Sequence, residues 1–193
     1  MSTHIKWNII MQPWKTLDRK LVFEMNKFLK VEQHTVQLSD GTVISDWPWI
    51  ISPDFILIFP LTERGTVLFF HQTKYAIDGT SYAPIGGYIE KGEYPLAAAK
   101  RELLEEMGCE ATEWLPLGNY PINGNHGGGR GHFFLAKNVK KVKEPIVDDL
   151  EEMELTELTL DEIEQKLFGG EIKVEGWAAI TAIALLHLKK ENV

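Results

Sequence analysis

The sequence predicts an α/β protein, a mixed sheet with helices packed on its faces. Two uninterrupted apolar runs, Phe55-Ile56-Leu57-Ile58-Phe59 and Val67-Leu68-Phe69-Phe70, read as strands covered on both sides. A well-punctuated helix over 94–107 and amphipathic stretches at 159–168 and 176–190 supply the helical layers. The hydrophobic share is 44%, enough to build a core and to exclude a disordered chain.

Taken in order, residues 19–38 hold β-leaning pieces, Leu21-Val22-Phe23 and His34-Thr35-Val36-Gln37-Leu38. The second ends in Ser39-Asp40-Gly41, a turn signal, and Thr42-Val43-Ile44 follows, so 31–46 reads as a hairpin. Glu63-Arg64-Gly65 separates the two apolar strands. Residues 79–92, rich in Gly and Pro, read as a loop with one short strand. In the helix after it, Pro95 suits the first turn, Ala97–Ala99, Leu103 and Leu104 favour helix, and Gly108 is placed to stop it. Further strands are expected near 114–120 and 132–137. In the last helix Trp177, Ile180, Ile183, Ala184 and His187 recur at helical spacing. With 193 residues, the chain suits an N-terminal β extension over 1–50 and one α/β domain over 51–193.

A net charge of −8 argues against nonspecific nucleic-acid binding, which needs a basic surface to displace counterions. A phosphorylated small molecule is still admissible, because a bound divalent cation reverses the local field. Cys109 is the single cysteine, which rules out an intrachain disulfide and a cysteine-rich zinc site. No apolar run approaches the roughly 20 residues that span a bilayer, and the N-terminus lacks a signal-peptide pattern. A soluble cytoplasmic protein with no membrane partner is the expectation.

The chemistry is concentrated at 87–109. Gly87 is followed after five residues by Glu93, then after seven by Arg101-Glu102, then Glu105-Glu106, Gly108 and Cys109. At about 100° per residue Glu102, Glu105 and Glu106 share one helical face. Adjacent carboxylates repel one another, so the cluster would weaken a purely structural helix. A hard, oxygen-seeking cation such as Mg²⁺ reverses that balance and keeps waters that a phosphate can displace. Arg101 is poised to pair with Glu93 across the loop–helix junction, and Gly86, Gly87 and Gly92 permit tight turning. The plain alternative, a solvated acidic helix, does not explain about eight positions matching at once, glycines included.

This string resembles the Nudix box at every defining position. The resemblance implies a Nudix fold, an α/β/α sandwich around a mixed β-sheet, and Mg²⁺-dependent (or Mn²⁺-dependent) hydrolysis of a nucleoside diphosphate linked to another moiety. It implies Glu102 and Glu106 as metal ligands, Glu105 as a ligand or water-mediated partner, and the Gly86 carbonyl completing one coordination site. Glu93 and Arg101 would orient loop and helix.

Across roughly 31–188 the chain is similar to the ADP-ribose pyrophosphatase and nucleoside-diphosphate-sugar hydrolase subgroup. Leu38-Ser39-Asp40-Gly41, His71-Gln72-Thr73-Lys74-Tyr75, Ala83-Pro84-Ile85-Gly86-Gly87 and Gly170-Glu171-Ile172 carry that likeness. Tyr82 stands where the subgroup commonly has glutamate, and His71 where it has arginine. The segment 123–132 is glycine-rich and lacks acidic residues. These departures leave a related sugar nucleotide, or an altered metal arrangement, open beside ADP-ribose. The acidic run 148–154 lies where the subgroup keeps its general base, for which Glu151 or Glu152 is the choice. The alternative for that run is a solvated loop.

Trp47 and Trp49 are candidates for base stacking, with core or dimer packing the alternative. His126, Arg130 and His132 are candidates for phosphate or sugar contact, unless Gly127–Gly129 merely form a mobile turn. Cys109 reads as a small buried hydrophobe, and Trp177 as core or interface. The subgroup likeness also implies a homodimer in which the N-terminal hairpin packs across the interface. Two rivals are a Nudix nucleoside triphosphate pyrophosphatase and a non-catalytic Nudix-fold nucleotide sensor.

Overall fold

The structure is a computed structural model, and it describes residues 12–145 and 152–191. The chain divides into two compact units. The first comprises residues up to Pro53 with 123–128, and the second Asp54–Ile122 with 129–193.

The first unit is an antiparallel meander of β1 (Lys15–Met25), β2 (Leu29–Gln37) and β3 (Val43–Ile51). The expected hairpin is its β2–β3 half. Gly41 takes φ +89, Leu38 N–H donates to the Thr42 carbonyl at 2.9 Å, and Asp40 Oδ1 accepts from Thr42 N–H at 2.9 Å. The preceding strand β1 is longer than Leu21–Phe23 alone suggested. It is an edge strand, exposed along its whole length. The tip of a later hairpin joins β3 here, with Gly127 in parallel register with Ile50.

In the second unit, β4 (Phe55–Thr62) and β5 (Thr66–Thr73) are the two apolar runs, joined at Gly65. On β4 lie β7 (Ile85–Tyr88), antiparallel, and β10 (Gly127–Lys141), parallel from Gly131 onward. On β5 lie β6 (Thr80–Ala83) and β11 (Met153–Thr159), both antiparallel. Strand β9 (Glu113–Asn123) and the two-residue β8 (Cys109–Glu110) pair with β10. The sheet is therefore mixed. Helix α1 (Pro95–Met107) packs Ala98, Ala99, Leu103 and Met107 against Ile56, Ile58, Phe70 and Phe134. Helices α2 (Leu160–Phe168) and α3 (Glu175–Glu191) pack Ile163, Ile180, Ala184 and Leu188 with Leu57, Phe59, Val67 and Phe69. Strand alternation sends the odd and even positions of β4 to these two layers. Trp177 is half-buried between them, and Cys109 is buried.

Two expectations need correction. Residues 79–92 hold two short strands, because the chain reverses at Pro84 and exchanges its partner β5 for β4. The glycine-rich segment after residue 126 is the start of β10, with only 124–126 as the turn. Gly127 is required by close approach: a Cβ there would fall 2.7 Å from the Ile50 carbonyl oxygen and 2.9 Å from the Trp49 indole.

Helix α1 ends as the sequence foretold. Gly108 takes φ +63 and its N–H donates to the Leu103 carbonyl. Its own carbonyl accepts from Val142 and Lys143 N–H at 2.8 and 3.0 Å. A Cβ would meet the Lys143 carbonyl oxygen at 2.1 Å. Gly108→Ala is therefore expected to cost about 2–3 kcal/mol, from the left-handed backbone and the backbone clash together. Thermal unfolding should show a fall in Tm of roughly 4–12 °C. An unchanged Tm would contradict the cap.

Candidate active site

The strand directions bring the sequence-predicted residues of the second unit to one end. Strand β5 runs antiparallel to β4, so His71–Thr73 finish level with Phe55–Leu57, where β4 begins. The antiparallel partner β7 finishes there too, at Gly86–Tyr88. So do the start of β6 at Thr80, the start of β11 at Met153, and Gly131–Phe133 of the parallel strand β10. The only registered pair between β4 and β5 among the described residues is Leu61–Val67, beside their hairpin. Away from it the two strands follow separate partners, β7 and β6.

From this end the box climbs into α1. Arg101 Nε and Nη2 donate to the two Glu93 carboxylate oxygens at 3.0 Å each. Nη1 donates to Glu102 at 2.7 Å and Glu105 at 3.1 Å, and Nη2 also reaches the Tyr88 carbonyl at 3.1 Å. One guanidinium thus ties the loop, the strand and the helix. The bidentate geometry suits arginine and not lysine. The Arg101 hydrogen bonds, with help from the Glu90 backbone, hold Glu93 below the usual carboxylate range. Burial pushes the Glu102 carboxyl above that range, against the pull of Arg101. Glu106 is half-buried on the same helix.

The Gly86-Gly87 pair makes room for these groups. A Cβ on Gly87 would stand 2.1 Å from Glu102 Oε1, so the carboxylate occupies the space that glycine leaves. A Cβ on Gly86 would strike Leu57 Cδ2 at 2.7 Å. Among the described residues no three His, Cys, Asp or Glu side chains are grouped closely enough to hold a metal ion as they stand. Arg101 already draws Glu102 and Glu105 to one nitrogen. The donors on offer, three glutamates and a backbone carbonyl, are all oxygen. A set held together by a monocation, with a glycine cradle beneath it, fits a hard divalent cation.

His71 and Tyr82 are brought together. They are cross-strand neighbours with rings stacked at 4.7 Å, and Lys166 Nζ lies 4.9 Å over the Tyr82 ring. His71 Nε2 is 2.8 Å from Thr80 Oγ1. A cavity of about 280 Å³ opens beside them, lined by His71, Thr73, Thr80, Glu152 and Glu154 among others. Glu152 is the described candidate for the base; Glu151 and residues 148–150 lie outside the described residues. Arg130 donates to Asn119, and its backbone N–H to Asp54. Within the first unit, Trp47 packs edge-on to Trp14 at 5.0 Å and lies 5.2 Å from His126, and Trp49 stacks on His34 at 5.4 Å. The cross-strand stack of His71 and Tyr82 escaped sequence reading, because it depends on β5–β6 register across a loop. The Asp54 contact with β10 escaped it for the same reason.

A glutamate-bearing helix that follows a Gly-Gly strand and is locked by a bidentate arginine defines a hydrolase of the Nudix class. The chain belongs to the Nudix family: the NUDIX domain model matches residues 53–175. The nucleoside diphosphate sugar hydrolase N-terminal domain model matches residues 14–50. The chain is similar to the methanol dehydrogenase activator of Bacillus methanolicus, 26% identical, covering 91% of this chain and 94% of that one. It is also similar to the ADP-ribose pyrophosphatase of Bacillus subtilis (strain 168), 25% identical, covering 91% and 92%. A crystal structure of an ADP compounds hydrolase shares the fold, with a TM-score of 0.79 and 16% identity over 94% of this chain and 97% of that one. No helix among the described residues is long and apolar enough to cross a membrane.

Proposed function

We propose that this Nudix hydrolase cleaves the pyrophosphate of ADP-ribose or another nucleoside diphosphate sugar, giving a nucleoside monophosphate and a sugar phosphate. The observation that carries the reading is the Arg101 network, which fixes Glu93, Glu102 and Glu105 around one point beside the Gly87 cradle. The N-terminal domain match and the pyrophosphatase relative support the sugar-nucleotide class.

On this reading Glu102, Glu106, Glu105 and the Gly86 carbonyl would hold Mg²⁺ or Mn²⁺. The bound cation would neutralise the pyrophosphate and lower the pKa of the attacking water. Arg101 keeps the carboxylates aligned through Glu93. Glu152 or Glu151 takes the proton from water as its oxygen attacks phosphorus, and the bridging oxygen leaves with the departing phosphate. On the second unit Arg130 is the candidate for phosphate contact and the His71–Tyr82 stack a candidate for sugar contact; on the first, Trp47 and Trp49 are candidates for stacking on a base.

The test is a hydrolysis panel with and without Mg²⁺ over ADP-ribose, other nucleoside diphosphate sugars, dinucleoside polyphosphates and nucleoside triphosphates, with products identified. A sugar phosphate is the expected product. Inorganic pyrophosphate would replace the reading with a triphosphate pyrophosphatase. Nucleotide binding without turnover would make the protein a sensor.

The same reading includes a homodimer through the first unit. Its edge strand β1 exposes Leu17, Leu21, Val22, Phe23 and Met25, and Phe28 follows at the turn. An edge strand with that much exposed apolar surface calls for a cover. Light scattering is expected to give twice the 22.0 kDa chain mass. Leu21→Glu/Phe23→Glu should shift it toward the monomer, and a stable, active wild-type monomer would remove the dimer.

A further inference from the structure

We propose that Arg130 and His132, fixed by Asn119 and Asp54, form a phosphate-binding arm beside the acidic helix. This rests on the hydrolase reading above and names the part of the substrate these residues take.

Arg130 is ordered but not neutralised. Its Nε and Nη2 both donate to Asn119 Oδ1, at 3.2 and 2.6 Å. That acceptor is an uncharged amide, and among the described residues no carboxylate pairs with the Arg130 guanidinium. Arg64 and Arg101, by contrast, are tied to carboxylates. An arginine held by a neutral acceptor keeps its full charge and its remaining N–H donors for an outside anion, in the planar fork that suits phosphate.

Asp54 is already engaged with the backbone. Its Oδ1 accepts the Arg130 backbone N–H at 2.8 Å, and its Oδ2 lies 3.8 Å from His132 Nε2. One carboxylate therefore fixes the strand between Arg130 and His132 and leans on the imidazole. Alternation along β10 puts both side chains on one face.

The register says which face that is. His132 pairs with Ile56 and Ile56 with Gly87, forming one row across β10, β4 and β7. Side chains in such a row share a face, and the Cβ direction at Gly87 leads to the Glu102 carboxylate. Two strand spacings, about 10 Å, separate the row's ends. Arm and acidic helix thus share one face at one end of the sheet. A polyanionic substrate approaching four box glutamates, in a chain of net charge −8, needs cationic groups on its other side. Arg130 supplies that cation, and His132 stands beside it.

The experiment is equilibrium binding of ADP, measured by calorimetry on the whole chain in EDTA. Arg130→Gln is expected to weaken binding by about 10- to 100-fold, the range of a charged hydrogen bond. Arg130→Lys should lose less. Asn119→Asp separates recognition from structure, because it keeps the acceptor and adds a charge that neutralises Arg130. It should leave Tm equal or higher while weakening ADP binding as Arg130→Gln does. In turnover, both variants should raise KM with little change in kcat. Wild-type ADP affinity in Arg130→Gln and Asn119→Asp overturns the arm, and so does a wild-type chain that fails to bind ADP in EDTA. A chain that binds ADP through Arg130 but hydrolyses no pyrophosphate overturns the enzymatic reading instead.

Discussion

Glu106→Gln is expected to lower kcat by about 100- to 1,000-fold, the scale on which one lost electrostatic contact costs an active site. Glutamine keeps the length of glutamate, removes its charge and exchanges one acceptor oxygen for an NH2 donor. Glu106 follows Glu102 by one helical turn on α1, while Leu103 and Met107 carry that helix's packing. The core is therefore untouched, and relief of repulsion among Glu102, Glu105 and Glu106 favours the helix slightly. The expected pattern is a lost kcat with Tm within about 2 °C of wild type. Steady-state hydrolysis of ADP-ribose over a Mg²⁺ titration, beside thermal unfolding, measures both. Glu110→Gln, just past the helix and outside the box, serves as the control and should keep full activity. Activity near wild type in Glu106→Gln would sink the assignment of the box.

What could be read from sequence was what depends on neighbours in the chain. Helix α1, its Gly108 stop and the Glu93–Arg101 pair were all foretold, and the structure differs by one residue at the start of the helix. Their causes are a first-turn proline, a left-handed cap and an ion pair across a short loop. Strands β4 and β5 were legible because both faces are covered and their central runs, Phe55–Phe59 and Val67–Phe70, are apolar throughout. Strand β1 was only glimpsed, since exposure along its whole length leaves no burial rhythm to detect. The glycines opening β10 look like a mobile turn on composition alone. At Gly127 the cause is Trp49 and Ile50, far away in sequence. The His71–Tyr82 stack and the Asp54–Arg130 contact likewise need registers that local patterns do not encode. The box's family and local geometry were therefore readable, while the surfaces that would select a substrate were not.

Gly87→Ala should separate the two uses of glycine in this site. Gly87 does not need a left-handed backbone, so alanine imposes no φ strain. Its Cβ would instead fall 2.1 Å from Oε1, 2.2 Å from Cδ and 2.7 Å from Cγ of Glu102. All three belong to a flexible side chain that rotates away at small cost, unlike the backbone carbonyl facing Gly108. Stability should fall by less than about 1 kcal/mol. Activity should fall by about 100-fold, because a carboxylate moved by an ångström no longer shares its point with Glu105 and Arg101. The cause can be isolated with a double-mutant cycle. If Gly87 acts through Glu102, adding Gly87→Ala to Glu102→Gln should cost little more than Glu102→Gln alone. Multiplicative losses in kcat would mean that Gly87 serves the reaction by another route, and a large fall in Tm would mean that the glycine serves the fold.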